Sequence, residues 1–352
     1  MNFIKNLLDS PVAAIKRQRR LINSGWQLAT YIFRIIILLA IGYIIIYPLF
    51  YMIVTSWRDK YSYYTSARVW IPSSIAPLFN YDTFIDATNF WPSIWTTITH
   101  EVCAALIEVA TCAITAYGLA RFKFKLKGVF MAGLFLTILI PETMIIIPRM
   151  ITYSNVDFFG LGGGIEWLAG LVGMEIDITP NLVAPGEWPV FLSWLGELGL
   201  STTVLPFWLP SIFAMGLRSG ILIFIYIQFF KNLPYELEEA AWVDGAGPIR
   251  TFISIALPSS SVVFTTVTVF SVIWHWNDTL LASMYLKDKF PLAVQLERIL
   301  TYLAGRGFYS HNKETMSIMM AGCFLFILPM LIFYMILQRK FIESIDRVGI
   351  TG

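Results

Sequence analysis

Side chains that could break a bond are sparse and scattered along this chain. His100, His275 and His311 stand far apart, and no H-E-x-x-H stretch brings two of them together to hold a metal. No serine sits in a G-x-S-x-G turn, and no Walker A stretch is present. Gly160, Gly162, Gly163 and Gly164 form a glycine cluster, but no lysine with Ser/Thr follows it, so it reads as a flexible turn and not as a phosphate cradle. Cys103, Cys112 and Cys323 show neither metal spacing nor a disulfide framework and read as small core residues. The expectation is a chain with no catalytic residues, no metal site and no cofactor of its own.

The chemistry that remains is recognition and coupling. Arg218 stands inside an otherwise apolar segment, where a cation is expensive and faces a partner or a cavity. Trp274, His275, Trp276, Asn277 and Asp278 follow one another at the end of another apolar run. Aromatic faces beside fixed hydrogen-bonding groups suit hydroxylated rings, so Arg218, Trp274, Trp276, Asn277 and Asp278 are candidates to line a translocation path. An interfacial aromatic belt is the alternative for the tryptophans. Glu108 is a further candidate for a polar lining, whereas His100 is expected to be solvated near the outer end of its segment.

A second polar stretch, 232–258, lies between two very apolar regions. Pro234 suits a first helical turn, and Glu236, Glu238 and Glu239 favour the positive end of the helix dipole. Gly245 and Gly247 break that helix, Pro248 starts another, and Leu257-Pro258 ends it. The stretch reads as helix, sharp turn, helix: a small rigid knob.

The elements that position these groups are membrane spans. Mean hydropathy is +0.67; 57% of residues are hydrophobic and 14% charged, well below the roughly one quarter of soluble domains. A net charge of +2 gives no sign of nucleic-acid binding. The expected fold is all-α and polytopic. About six segments hold the roughly 20 apolar residues that a spanning helix needs: 31–56, 94–118, 128–150, 203–229, 258–283 and 316–337. Pro206, Pro210, Gly216 and Gly220 make the fourth irregular, either as a pathway-lining helix or through tight packing of small residues.

Basic loops set the orientation. Lys5, Lys16, Arg17, Arg19 and Arg20 precede the first span, Arg121, Lys123, Lys125 and Lys127 follow the second, and Arg339, Lys340 and Arg347 follow the last. Both termini and the knob are therefore expected inside. The basic stretch before the first span lacks a cleavable signal pattern. The loop 152–200 holds six carboxylates and no lysine or arginine, which suits the outside. The loop 284–315, with Lys287, Lys289, Arg298, Arg306 and Lys313, departs from the rule. The domains expected are a cytoplasmic segment 1–30, a transmembrane domain 31–337 containing the insert and the knob, and a tail 338–352.

The knob carries a long spaced pattern: Glu239-Ala240-Ala241, three residues, Gly245, nine residues, Ile255, one residue, Leu257-Pro258. It resembles the EAA signature of ABC importer permeases. Leu233-Pro234-Tyr235-Glu236-Leu237, Asp244-Gly245-Ala246, Ala120-Arg121-Phe122, Ile140-Pro141, Ile147-Pro148 and Trp276-Asn277 look like the carbohydrate-uptake branch, specifically the maltose-type second permease subunit. The resemblance covers about residues 30–352. It implies a type I ABC importer permease fold with a long extracytoplasmic insert, in a bacterial cytoplasmic membrane. It also implies a coupling role for Glu239, Ala240, Ala241, Asp244, Gly245, Ile255, Leu257 and Pro258 against an ATP-binding subunit. Implied partners are a second homologous permease, two ATP-binding subunits holding ATP and Mg, an extracytoplasmic substrate-binding protein and membrane lipid. The tail Ile345–Gly352 resembles one that reaches the ATPase interface, although it lacks the usual final lysine-glycine pair. An importer for another solute (polyamine, phosphate or amino acid) and a secondary transporter are the alternatives.

Overall fold

The computed structural model describes residues 11–59, 70–154, 202–307 and 313–349. Lys5, nearly all of the 152–200 insert and the last three residues of the tail lie outside the described residues. Among the described residues the regular structure is helical, with an isolated antiparallel bridge between Arg58 and Ile75.

α1 (Pro11–Ser56) runs without a break from the described part of the basic segment, 11–30, into the first span. Its apolar part, Trp26–Ser56, is long enough to cross a membrane and exposes side chains such as Leu38, Leu39 and Ile44 nearly all round, as a lipid-facing helix should. The Asn80 amide then donates to the carbonyls of Ser56 at 2.8 Å and Arg58 at 2.9 Å. This pins the start of α2 (Pro77–Thr88) under the end of α1. Asn89, left-handed at φ 47°, turns the chain into α3 (Phe90–Thr96). A wide i→i+5 turn, Thr97–Val102, joins α3 to α4 (Cys103–Arg121), and together they make one rod, Phe90–Arg121.

The next three expected spans are broken. α5 (Lys127–Leu139) and α6 (Glu142–Ser154) meet at Ile140-Pro141 with a 104° bend. α7 (Leu205–Ile212) and α8 (Ser219–Asn232) are separated by Phe213–Arg218, where Ala214 and Arg218 take φ of 55° and 59°. After α9 (Glu236–Val243), the second knob helix is α10 (Pro248–Thr251), a wide turn Phe252–Ala256 and α11 (Leu257–Ser259). α12 (Ser261–Trp276) follows at 81°. One detail of the knob differs from expectation. Pro234 precedes the first helix instead of entering it. The second knob helix ends at Ser259, directly after Leu257-Pro258, as the sequence reading expects. α13 (Leu280–Tyr285), α14 (Leu292–Glu297) and α15 (Ile299–Gly305) fold over one end of the bundle. α16 (Lys313–Gly349) carries the last span, Thr315–Gln338.

Apolar helices thus occupy all the expected span positions. Among the described residues three are long and apolar enough to cross a membrane as single helices, and the third and fifth are so as bent pairs, whereas the fourth position holds the short α7 and the 14-residue α8. The cysteines are free. The basic loop that departed from the charge rule is partly tied down: the Arg298 guanidinium lies 4.0 Å over the Phe290 ring, and Arg306 donates to the Asp86 carbonyl at 3.0 Å.

The α4 rod is the centre of the packing. Its Cys112, Ala113 and Ala116 let Leu222, Tyr226, Ile227 and Phe230 of α8 close in, with Val263 and Val267 of α12 completing the layer. Small residues allow such close helix contact where lipid supplies no hydrophobic drive. A second cluster joins Phe84 and Phe90 to Trp276, Leu292, Leu303 and Ile318. There the Phe84 ring lies directly over Gly322 of α16, leaving no room for a β-carbon. Gly322→Ala is therefore expected to lower stability by about 1–3 kcal/mol through overpacking, and Phe84→Leu added to it should recover part of the loss. Thermal unfolding of the detergent-solubilised protein measures both; an unshifted single variant contradicts the packing.

Candidate translocation and coupling sites

Three polar assemblies interrupt the apolar bundle. The most deeply buried joins α4 to α12. Glu101, in the wide turn, and Glu108, about two helical turns further along, project toward the same neighbour. The His275 imidazole fits between them, with Nδ1 3.1 Å from Glu101 Oε2 and Nε2 3.0 Å from Glu108 Oε2. Ser271 Oγ lies 3.3 Å from the same Glu108 oxygen. All three ionisable side chains are sealed from solvent. The other oxygen of Glu108 comes so close to Gly216 that a β-carbon there would lie 2.7 Å from it. The break between α7 and α8 is thereby seated on the carboxylate cluster.

That break is satisfied by its neighbours. The Thr111 hydroxyl donates to the Ser211 carbonyl at 2.6 Å and Met215 N–H to the Pro210 carbonyl at 2.7 Å, while α7 in turn satisfies the wide turn before α4, Trp208 Nε1 donating to the Thr99 carbonyl at 2.8 Å. Irregular backbone survives at membrane depth only where it is re-paired or lines a cavity, and here it does both. His100 belongs to the same support. Its Nδ1–H donates to the Thr96 carbonyl (3.1 Å), and Nε2 meets the Thr203 hydroxyl at 3.0 Å. It is buried, not solvated as expected, because α7 covers it.

The second assembly is a cavity of about 370 Å³ lined by Glu142, Leu217, Arg218, Trp274, Asn277 and Asp278 among others. It adjoins a second of about 410 Å³ that reaches Ile140, Pro141 and Gly220 and shares Glu142, Arg218 and Leu280. Both therefore lie where the breaks of the third and fourth spans meet. Four of the five residues read as a path, Arg218, Trp274, Asn277 and Asp278, converge here. Trp276 turns the other way, buried against Phe326, whose carbonyl accepts its indole N–H at 3.2 Å. Glu142 was not singled out from the sequence. Its position directly after the helix-breaking Pro141, inside an apolar run, is the signal that marks it.

The third assembly is the base of the knob. Arg121 ends α4 and reaches into the knob with both arms of its guanidinium. Nε donates to Glu238 Oε1 at 2.8 Å, and Nη2 to the Leu233 carbonyl at 2.7 Å. The Tyr235 ring lies 4.5 Å from the guanidinium, and its hydroxyl donates to the Arg121 carbonyl at 3.2 Å. The ion pair is buried, with 3% and 0% side-chain exposure. Beyond it the knob is bare. Glu239, Ala240 and Asp244 are exposed, Ala241 is buried, Ile255 and Leu257 are half-buried and Pro258 is exposed. Gly245 turns at φ 81°. Val243 (88% exposed) and Ile249 (77%) stand out with Leu237, Trp242 and Ile253. Exposed apolar groups clustered this way mark an interaction surface.

Residues 81–347 match the family described as binding-protein-dependent transport system inner membrane component. A probable starch degradation products transport system permease protein of Thermoanaerobacterium thermosulfurigenes is 25% identical over 298 residues, 85% of this chain and 89% of that one. An alpha-glucoside transport system permease protein of Rhizobium meliloti (strain 1021) is 26% identical over 81% of this chain and 64% of its own length. An sn-glycerol-3-phosphate transport system permease protein of Escherichia coli O157:H7 is 22% identical over 86% and 91%. In structure, the chain superposes with a TM-score of 0.57 on a chain of a bacterial ABC transporter involved in the import of the acidic polysaccharide alginate. The match is 19% identical and covers 88% of this chain and 95% of that one.

The Arg121–Glu238 pair gives a test of what holds the knob. Arg121→Met strands a buried carboxylate and is expected to cost about 3–5 kcal/mol, whereas Arg121→Met/Glu238→Met should return most of it. Unfolding temperatures of the single and double variants check this; a double variant as unstable as the single contradicts a buried-charge origin.

Proposed function

The chain belongs to the binding-protein-dependent transport system inner membrane components, and from that membership we propose that it is a transmembrane permease subunit of an ATP-driven ABC importer for a sugar or oligosaccharide. It is a transport component and not an enzyme. In this reading ATP and Mg are bound and hydrolysed on two partner subunits, a second homologous permease completes the pathway, and an extracytoplasmic binding protein delivers the substrate. The chain sits multi-pass in a bacterial cytoplasmic membrane, with both termini and the knob on the cytoplasmic side.

The observation that carries the coupling role is the knob itself. An apolar, acid-tipped surface is fully presented, yet its base is locked to the α4 rod by a buried ion pair. A surface that only lay on anionic lipid would gain nothing from the exposed Glu236 and Glu239. Docking of α9 in a groove of the ATPase would pass each closure of the ATPases through Arg121 to α4. That rod contacts α7, α8 and α12, so the push reaches the broken helices that surround the cavity. Glu239 and Asp244 would make the polar contacts, Ala240 and Ala241 would let the helix seat closely, and Gly245 would shape the turn. Ile255, Leu257 and Pro258 would carry the push into the bend before α12. The sugar assignment is supported by the starch-product and alpha-glucoside relatives. The glycerol-phosphate relative keeps a second reading, another phosphorylated solute, in view.

Glu239→Ala and Gly245→Asp are expected to leave the protein inserted and assembled while abolishing sugar uptake, with ATPase activity no longer stimulated by the binding protein. Gly245→Asp adds a side chain at φ 81°, which L-residues rarely adopt. Uptake and ATP turnover in proteoliposomes read the outcome; coupled transport at the unmodified rate in both variants contradicts the lever.

A further inference from the structure

The paired cavities between the third and fourth span breaks contain more charge than a path for neutral sugars needs. Three ionisable side chains line them: Glu142, Arg218 and Asp278. The two carboxylates are already engaged by the protein. Glu142 Oε1 accepts the backbone N–H of Arg218 at 2.9 Å. Asp278 accepts the N–H groups of Leu281 and Ala282, one on each oxygen, at 3.1 and 3.2 Å. The Arg218 guanidinium makes no hydrogen bond or ion pair among the described residues. It lies over the face of Trp274, 5.1 Å from the ring centroid. Five N–H donors on a permanent cation are thus exposed to the cavity.

Glu142 and Asp278 share the cavity with Arg218, yet no carboxylate oxygen of the described residues pairs with its guanidinium; a cation left unengaged at membrane depth is expensive and marks a place where an anion can arrive. The planar guanidinium fork fits a carboxylate or a phosphate through two parallel bonds. Its neighbours suit the remainder of a carbohydrate. Trp274, stacked on Phe270 at 5.6 Å, presents an aromatic wall. Asn277 spends its amide N–H₂ on the Ile273 carbonyl (2.7 Å), which leaves its own carbonyl oxygen to accept from a hydroxyl. Volumes of about 370 and 410 Å³ lie within the roughly 300–1,000 Å³ of small-molecule sites.

We infer that this cavity is a subsite for an acidic sugar, and that Arg218 binds the carboxylate or phosphate group of the passing substrate. The inference rests on the importer reading above and narrows its substrate to anionic carbohydrates.

The test uses the complete importer (this chain with its companion permease, ATPases and binding protein) in nanodiscs and proteoliposomes. Equilibrium binding is measured with the binding protein omitted, so that the membrane site alone is read. The probes are α-1,4-digalacturonate against its dimethyl ester, and glucose 6-phosphate against glucose. Each pair differs only in the charged group. At least one acid is expected to bind about tenfold tighter than its neutral partner; which one does so distinguishes carboxylate from phosphate. Arg218→Gln should bring the acid down to the neutral partner's affinity, and Arg218→Lys, which keeps the charge but not the two parallel bonds, should keep only part of the preference. Equal binding within both pairs, or a preference that survives Arg218→Gln, overturns the inference. So does an Arg218→Gln variant that loses assembly with the companion permease while retaining the preference, because the counter-charge is then a protein carboxylate. ATP-driven uptake is followed in parallel. Uptake of neutral sugar at the same rate in wild type and Arg218→Gln, with no preference for an acid, removes this inference and leaves the importer standing. Absence of ATP-driven uptake of any sugar removes both.

Discussion

The imidazole of His275 lies between the carboxylates of Glu101 and Glu108 at 3.1 and 3.0 Å, sealed from water. Three ionisable groups cannot be withdrawn from solvent one at a time: removing one partner leaves charge with nothing to answer it. The cluster therefore fixes α4, the wide turn before it and α12 in a single relative arrangement. It also reaches the fourth span, because Gly216 rests against the free oxygen of Glu108. The cluster thus ties the second, fourth and fifth spans together.

Around that anchor the fold spends regularity. Proline, glycine and left-handed residues open the third, fourth and fifth spans, and groups freed at the fourth are taken up by Thr111 and Glu142. Straight rods lie beside them: Trp26–Ser56, Phe90–Arg121 and Thr315–Gln338. The division has a mechanical sense. Continuous helices transmit displacement without absorbing it, while a re-paired break has more than one way to close its bonds and can change angle. In the proposed reading the path would be built from the second kind of element, supported and driven by the first.

Hydropathy alone placed helices at the right positions, because twenty apolar residues in a row have few other uses. Prolines and glycines marked the fourth as irregular, and a break falls there; the breaks of the third and fifth were not read, since breaking depends on whether a neighbour can accept the freed groups. The knob was legible in detail: acids in the first turn, glycine at the corner and a spaced pattern through Pro258. Arg218, Trp274, Asn277 and Asp278 were legible as polar residues in apolar surroundings, and the fold brings them together. Trp276 looked the same in sequence and faces the core, because consecutive helical residues point about 100° apart. Glu101, Glu142, Glu238 and the connecting role of Arg121 were not found. Their partners lie 76 to 174 residues away along the chain, and no local periodicity reports such a pairing. The seven-residue spacing of Glu101 and Glu108 within an apolar rod was the one local sign.

The Arg121–Glu238 joint differs from the knob tip in what it can sense. Mobile ions screen the exposed carboxylates of Glu236 and Glu239 over a distance of about 8 Å at physiological salt. They do not reach a pair with 3% and 0% exposure. In the proposed orientation, a cell that loses water and concentrates its cytoplasmic salt therefore weakens the grip at the tip while the hinge behind it keeps its strength. Osmotic stress would throttle such an importer by slippage at its outer contact, leaving the linkage intact and ready to engage when the salt falls.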